Sequence, residues 1–130
     1  LLMFSSRSEL INHIAKSKAD YILLDRYYDA SIAYQGYGRG ISLEVINGLI
    51  SLINCPEPDS TILLDLSIED SIKRKINDKK DRIESSSITF FNKVRNGYLK
   101  LASDHPKRFL VIDALLDKEY IHKLIIEKIK

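Results

Sequence analysis

Three short apolar runs, each closing on or beside an aspartate, constrain this chain more than any other feature. They are Tyr21-Ile22-Leu23-Leu24 before Asp25, Thr61-Ile62-Leu63-Leu64-Asp65-Leu66, and Phe109-Leu110-Val111-Ile112 before Asp113. Such runs, too short for helices and without polar alternation, suit strands covered on both faces, as in a parallel sheet. The stretches between them read as amphipathic helices. Strands alternating with helices give a three-layer α/β fold, a parallel sheet with flanking helices. In such folds ligands bind at the carboxyl ends of the strands, so Asp25, Asp65 and Asp113 are candidates from topology alone.

The helical stretches carry their own signals. Over 1–16, Leu2, Leu10, Ile11 and Ile14 can share one stripe, with Arg7, Glu9 and Lys16 elsewhere. Residues 25–40 suggest a short helix followed by a glycine-punctuated loop. Ser42 is placed to cap a helix over 42–54, with Ile41 and Ile46 as a hydrophobic staple. Ser67 can cap the next helix, with Glu69 and Asp70 at its positive end. A further helix is expected over 86–103, with Phe91, Val94, Tyr98 and Leu101 near one face. Asp117 can cap a last helix that turns Ile121, Leu124, Ile125 and Ile129 inward.

Composition narrows the function classes. With 45% apolar and 29% charged residues the chain is globular, not disordered. Twenty basic against eighteen acidic residues is too balanced for a protein held mainly by nucleic-acid phosphates. Cys55 is the single cysteine, which excludes an internal disulfide and suits a reducing, cytoplasmic setting. No apolar run approaches the ~20 residues of a membrane span, and no export signal layout is visible. Five glycines and three prolines fall at plausible turns, so no linker divides residues 1–130, which read as a single domain.

The densest polar cluster, Asp25-Arg26-Tyr27-Tyr28-Asp29-Ala30-Ser31-Ile32-Ala33-Tyr34-Gln35-Gly36, follows the first apolar run directly. Asp25 there can help hold a hydrated Mg²⁺, and Arg26 can clamp phosphate oxygens through its planar fork. The plainer alternative is an Asp–Arg pair that stabilises a loop. Residues 73–82 hold six basic residues (Lys73, Arg74, Lys75, Lys79, Lys80, Arg82) against Asp78 and Asp81. Such a run can close over a polyphosphate or be a solvated surface. His13, His105 and His122 lack zinc-ligand spacing. No G-x-S-x-G elbow occurs, and no glycine begins a G-x-x-x-x-G-K-S/T phosphate loop, so these residues alone cannot cradle ATP phosphates in that manner.

Four stretches resemble bacterial thymidylate kinases, in that family's order. Leu1-Leu2-Met3-Phe4-Ser5-Ser6-Arg7 is similar to its L-L-F-x-A-x-R helix. Asp25-Arg26-Tyr27 through Ala33-Tyr34-Gln35-Gly36 is similar to its D-R-Y-x-x-S-T-x-A-Y-Q-G signature. Pro58-Asp59 with 61–66 is similar to its P-D-x-T-x-x-L-D strand. Lys73-Arg74, Asp81-Arg82-Ile83-Glu84 and Phe91-x-x-Val94-Arg95-x-Gly97-Tyr98-Leu99 are similar to its lid and following helix.

The resemblance implies transfer of the ATP γ-phosphoryl group to dTMP, giving dTDP, with Mg²⁺, in a homodimer. It implies a dTMP site in residues 1–40 built from Met3, Phe4, Arg7, Arg26, Ser31, Tyr34 and Gln35. Arg7 would bond the base, Arg26 the acceptor phosphate, and Tyr34 would crowd any 2′-hydroxyl. Asp25 would act on Mg²⁺ indirectly, and Asp25, Arg26, Arg74 and Arg82 would be the catalytic residues. A lid over ATP would span 73–84, with Arg74, Lys75, Lys79 and Arg82, and Asp113 and Ala114 would lie near the adenine. Met3 stands where the family has Phe, and Ala30 where it has Ser. The family's N-terminal strand and phosphate loop have no counterpart, so the expectation is an incomplete domain, inactive alone. Two alternatives stand beside it: another deoxynucleoside or nucleoside-monophosphate kinase, and a non-catalytic, dimerising remnant.

Overall fold

The computed structural model describes residues 2–76 and 85–130. Helix α1 (Leu2–Lys16) leads through an extended segment to α2 (Tyr28–Ser31), which runs straight into a π-helix (Ile32–Gly38). Then follow α3 (Leu43–Leu52), β1 (Thr61–Asp65), α4 (Ile68–Ile76), α5 (Ser85–Asp104), β2 (Phe109–Asp113) and α6 (Lys118–Ile129). Strands β1 and β2 pair in parallel, Thr61 opposite Phe109 through Asp65 opposite Asp113. Asp65 and Asp113 therefore close both strands at the same end, as expected of a parallel sheet.

The expected strand over 21–24 does not form: among the described residues the sheet has two strands. Tyr21 is 65% exposed and Leu23 88%. The physical reason is pairing. A strand over 21–24 needs neighbours for its N–H and C=O groups, and no described strand hydrogen-bonds to it. Instead a cleft of about 560 Å³ separates Ile22, Leu23 and Leu24 from Thr61, Ile62 and Leu63.

The core gathers Phe4, Tyr27, Tyr28, Ile32, Ile46, Leu101, Ala102 and Phe109. It ties α1 and the segment 27–38 to α3, α5 and β2. The most extensive helix contact is between α5 and the π-helix. Two glycines permit it. A Cβ on Gly97 would meet the Tyr37 side chain at 2.7–2.8 Å, and one on Gly38 would meet Phe90 at 2.7 Å and Val94 at 2.9 Å.

Within 25–40, helix runs continuously from Tyr28 to Gly38, where a short helix and then a loop were expected. Gly36 and Gly38 suggest a loop locally, but close packing on α3 and α5 overrides that propensity, whereas Gly40 lies beyond the helix with a φ of 73°. In α1 the buried residues are Phe4 and Arg7, while Leu2, assigned to the inward stripe, is 87% exposed. Ser67 caps α4 as expected, accepting from the Asp70 N–H at 3.1 Å and donating to the Asp70 carboxylate at 2.6 Å. Asp117 likewise accepts from the N–H groups of Glu119 and Tyr120. Ser42 occupies the N-cap position of α3 but its side chain makes no capping bond. On α5, Val94 and Leu101 are buried as expected, whereas Phe91 is 41% exposed.

Candidate functional site

Residues from α1 and from 25–35 converge beside the cleft. Arg7 is buried on α1. Its Nη1 donates to Ser31 Oγ at 3.0 Å and its Nη2 to the Tyr27 carbonyl at 3.3 Å. The guanidinium lies 5.1 Å from the Phe4 ring centre and 5.7 Å from that of Tyr27. Two aromatic faces and two acceptors suffice to hold a buried guanidinium, which an unpaired charge could not tolerate. Gln35 Nε2 points to Met3 Sδ at 3.8 Å, while Gln35 Oε1 is buried with no hydrogen-bond partner.

Arg26 differs in kind. Its φ is 55°, the left-handed region that disfavours any side chain bearing a Cβ. Its exposed guanidinium lies 4.4 Å from the Tyr34 ring centre. Tyr34 is in turn edge-on to Phe90 at 6.0 Å and to Tyr98 at 6.4 Å. Burial, then the neighbouring Tyr34, push the Tyr98 hydroxyl up to about 12, against the opposing pull of Arg26. Asp25 is exposed and, among the described residues, makes no hydrogen bond or ion pair. Asp25, Arg26 and Tyr27 form a wall between two clefts. One, about 540 Å³, is bordered by Met3, Ser6 and Arg7; the other, about 560 Å³, by Tyr34 and Tyr98. A third cavity, about 850 Å³, lies toward Pro56, Pro58 and the end of α6, and of the signature residues only Tyr27 borders it.

The structure therefore brings together Met3, Phe4, Arg7, Asp25, Arg26, Ser31, Tyr34 and Gln35. Arg74 stands elsewhere: its Nη2 donates to the Ala114 carbonyl at 2.7 Å, joining α4 to the turn after β2. The Asp113 carboxylate accepts locally from the Leu115 N–H at 2.8 Å. Lys79, Arg82 and the Lys75 side chain lie outside the described residues. Asp65 is no free ligand. Arg95 grips it with Nε and Nη2, each at 2.7 Å, and these bonds hold its carboxyl below the usual range against the opposing effect of burial. Among the described residues no group of three acidic, His or Cys side chains could hold a metal ion.

Sequence reasoning missed one buried constellation. Arg108 reaches Asp29 and Thr61 from just before β2. Asp29 sits in the polar cluster already singled out, but no local spacing pairs residues 79 apart.

Known proteins resemble this chain over most of its length. The sequence model described as Thymidylate kinase matches residues 1–125. A thymidylate kinase of Prosthecochloris aestuarii is 41% identical over 143 residues, covering 99% of this chain and 64% of that protein. One from a Sulfurihydrogenibium species is 43% identical over 134 residues, covering all of this chain and 65% of that protein. The crystal structure of thymidylate kinase from Ehrlichia chaffeensis superposes with a TM-score of 0.59 at 28% identity, over 82% of this chain and 50% of that one. The chain thus spans less than two thirds of the length of these curated relatives. With that family model matched over residues 1–125 and relatives more than 40% identical across nearly the whole of this chain, the chain belongs to the thymidylate kinase family.

Proposed function

We propose that this chain carries the acceptor-nucleotide side of a dTMP kinase, which takes the ATP γ-phosphoryl group to form dTDP. The observation that carries the reading is the buried Arg7–Ser31 bond beside Met3 and Gln35. A guanidinium has five N–H donors, and Arg7 uses two of its nitrogens within the protein. Its remaining donors and the unpartnered Gln35 Oε1 complement a pyrimidine edge that presents a carbonyl and a ring N–H. Phe4 and the polarizable Met3 sulfur supply the apolar wall for the ring and its methyl group.

Arg26 supplies the fork for the acceptor phosphate, with Tyr34 beneath it as a platform. In this reading Tyr34 also crowds any 2′-hydroxyl. The exposed Asp25 carboxylate, unpaired among the described residues, fits Mg²⁺ held through water, since that ion keeps most of its waters and takes one or two carboxylates beside phosphate oxygens. When bound, Mg²⁺ and ATP supply charge neutralisation and the phosphoryl group. Arg74 belongs to the lid in this reading, and its bond to the Ala114 carbonyl links the lid to the adenine-side turn with Asp113. Lys75, Lys79 and Arg82 belong to the lid in this reading, and the assembled enzyme is a cytoplasmic homodimer. The 130 residues contain no G-x-x-x-x-G-K-S/T sequence. We therefore expect dTMP binding without phosphoryl transfer by this chain alone, as one incomplete kinase domain.

A thermal-shift panel tests the reading. dTMP should raise the midpoint more than dCMP, because a C4 amino group would confront the Arg7 donors. ATP should leave it unchanged, and no dTMP-dependent ADP should form. A larger shift with dCMP would favour another nucleoside-monophosphate kinase, and no shift with any nucleotide would favour a non-catalytic remnant.

A further inference from the structure

Arg108 draws three elements to one buried point. Its Nη1 donates to Asp29 Oδ2 at 2.6 Å and to Thr61 Oγ1 at 2.7 Å, and its Nη2 donates to Asp29 Oδ1 at 3.0 Å. Thr61 Oγ1 donates in turn to Asp29 Oδ2 at 3.2 Å. The Arg108 and Asp29 side chains are 8% and 6% exposed. The guanidinium lies 4.7 Å from the Phe109 ring centre and 5.8 Å from that of Tyr28, and its Nε is 3.4 Å from Glu57 Oε1. Asp29 belongs to α2, Thr61 opens β1, and Arg108 immediately precedes β2.

A buried ion pair is weak evidence of a stability device, because an apolar set of equal volume often serves as well or better. What a bidentate pair adds is orientation: two parallel bonds to a planar fork fix both the position and the rotation of the carboxylate. Asp29 stands two residues before Ser31, and the same continuous helix carries Tyr34 and Gln35 onward. Arg7 holds this helix at Ser31 from the α1 side, and Arg108 holds it at Asp29 from the sheet side. Arg108 itself borders neither cleft beside Asp25 and Arg26.

We propose that Arg108 is a positioning residue: through its fork on Asp29 it sets the height and rotation of the helix that presents Ser31, Tyr34 and Gln35 to the acceptor nucleotide. The nucleotide part of this statement rests on the acceptor-site reading above. The pinning of the helix does not.

Backbone amide exchange of the protein and its Arg108→Lys and Thr61→Val variants tests it. Lysine keeps the charge but has no fork, so Arg108→Lys should speed exchange over residues 28–38 roughly tenfold more than over β1 and β2. Thr61→Val leaves the fork but removes its flanking bonds, and should give a selective change of about threefold. At a temperature where circular dichroism shows each variant folded, dTMP should bind Arg108→Lys about tenfold more weakly than wild type. Equal acceleration in helix and strands, or none, overturns the proposal. If Arg108→Lys does not fold, an unselective Thr61→Val profile overturns it. Should wild type not bind dTMP, the acceptor-site reading falls, and the exchange pattern alone decides whether Arg108 pins the helix.

Discussion

Gly97→Ala should destabilise the protein although alanine is the better helix former. Gly97 lies inside α5, where the substitution by itself favours the helix by about 1 kcal/mol. Its new Cβ, however, would stand 2.7 Å from Tyr37 Cδ2 and 2.8 Å from Tyr37 Cβ and Cγ. Those are not the far end of a flexible chain. Cβ moves only if the π-helix backbone moves, so the overpacking cost falls near the upper end of its usual range, about 3 kcal/mol. The net expectation is a loss of about 2 kcal/mol. With a urea m-value of about 1.5 kcal/mol per molar, the midpoint should fall by roughly 1 M. Gly48→Ala is the internal control. It sits on the exposed side of α3 with nothing within 4 Å of its Cβ position, so only the propensity gain remains. That variant should gain about 0.5–1 kcal/mol. Urea unfolding followed by circular dichroism reads both. A Gly97→Ala midpoint equal to or above wild type would refute the claim that α5 and the π-helix meet at glycine contact distance.

Three further outcomes follow from the same structure. At Arg26, Gly should be more stable than Ala by about 1 kcal/mol, because Gly relieves the left-handed backbone that Ala keeps, and both should lose dTMP binding; thermal unfolding and titration of the two variants check this. Asp65→Asn should cost about 1 kcal/mol near neutral pH, discounted for the partly exposed Arg95. Because the folded Asp65 value is depressed, its contribution is present above the ordinary carboxylate value and is lost as pH falls through the folded one. The stability gap between wild type and Asp65→Asn should therefore close below about pH 4, as read by denaturation at several pH values. Tyr28 and Tyr98 are pushed up to about 12, chiefly by burial, so their phenolate absorbance should appear late in an alkaline titration, and unfolding should bring it back to about 10.

Much of the proposed acceptor site could be nominated from the sequence because its residues are close together and belong to specific motifs. Arg7 sits on α1 and Arg26 just before α2, while Ser31, Tyr34 and Gln35 share the helical run over 28–38, and the Arg7–Ser31 bond joins the two stretches. Local signals also placed β1, β2 and the Ser67 and Asp117 caps. Failures came where tertiary contact decides. Apolar content at 21–24 reads as a strand, but a strand is a pairing property, and no described strand partners that run. Glycines 36 and 38 read as loop, yet they mark close approach of the π-helix to its neighbours. Arg108 and Asp29 are far apart along the chain, so nothing local announces their pairing. Asp65, chosen by topology, proved to be held by Arg95 for the same reason.

Isothermal titration of the protein with dTMP and with thymidine tests the central claim most directly. The account predicts one dTMP per chain and thymidine binding at least about tenfold weaker, since a charge-assisted phosphate contact through Arg26 contributes about 1.5–3 kcal/mol. Equal affinity for thymidine and dTMP, or binding of ATP with no response to dTMP, would contradict it.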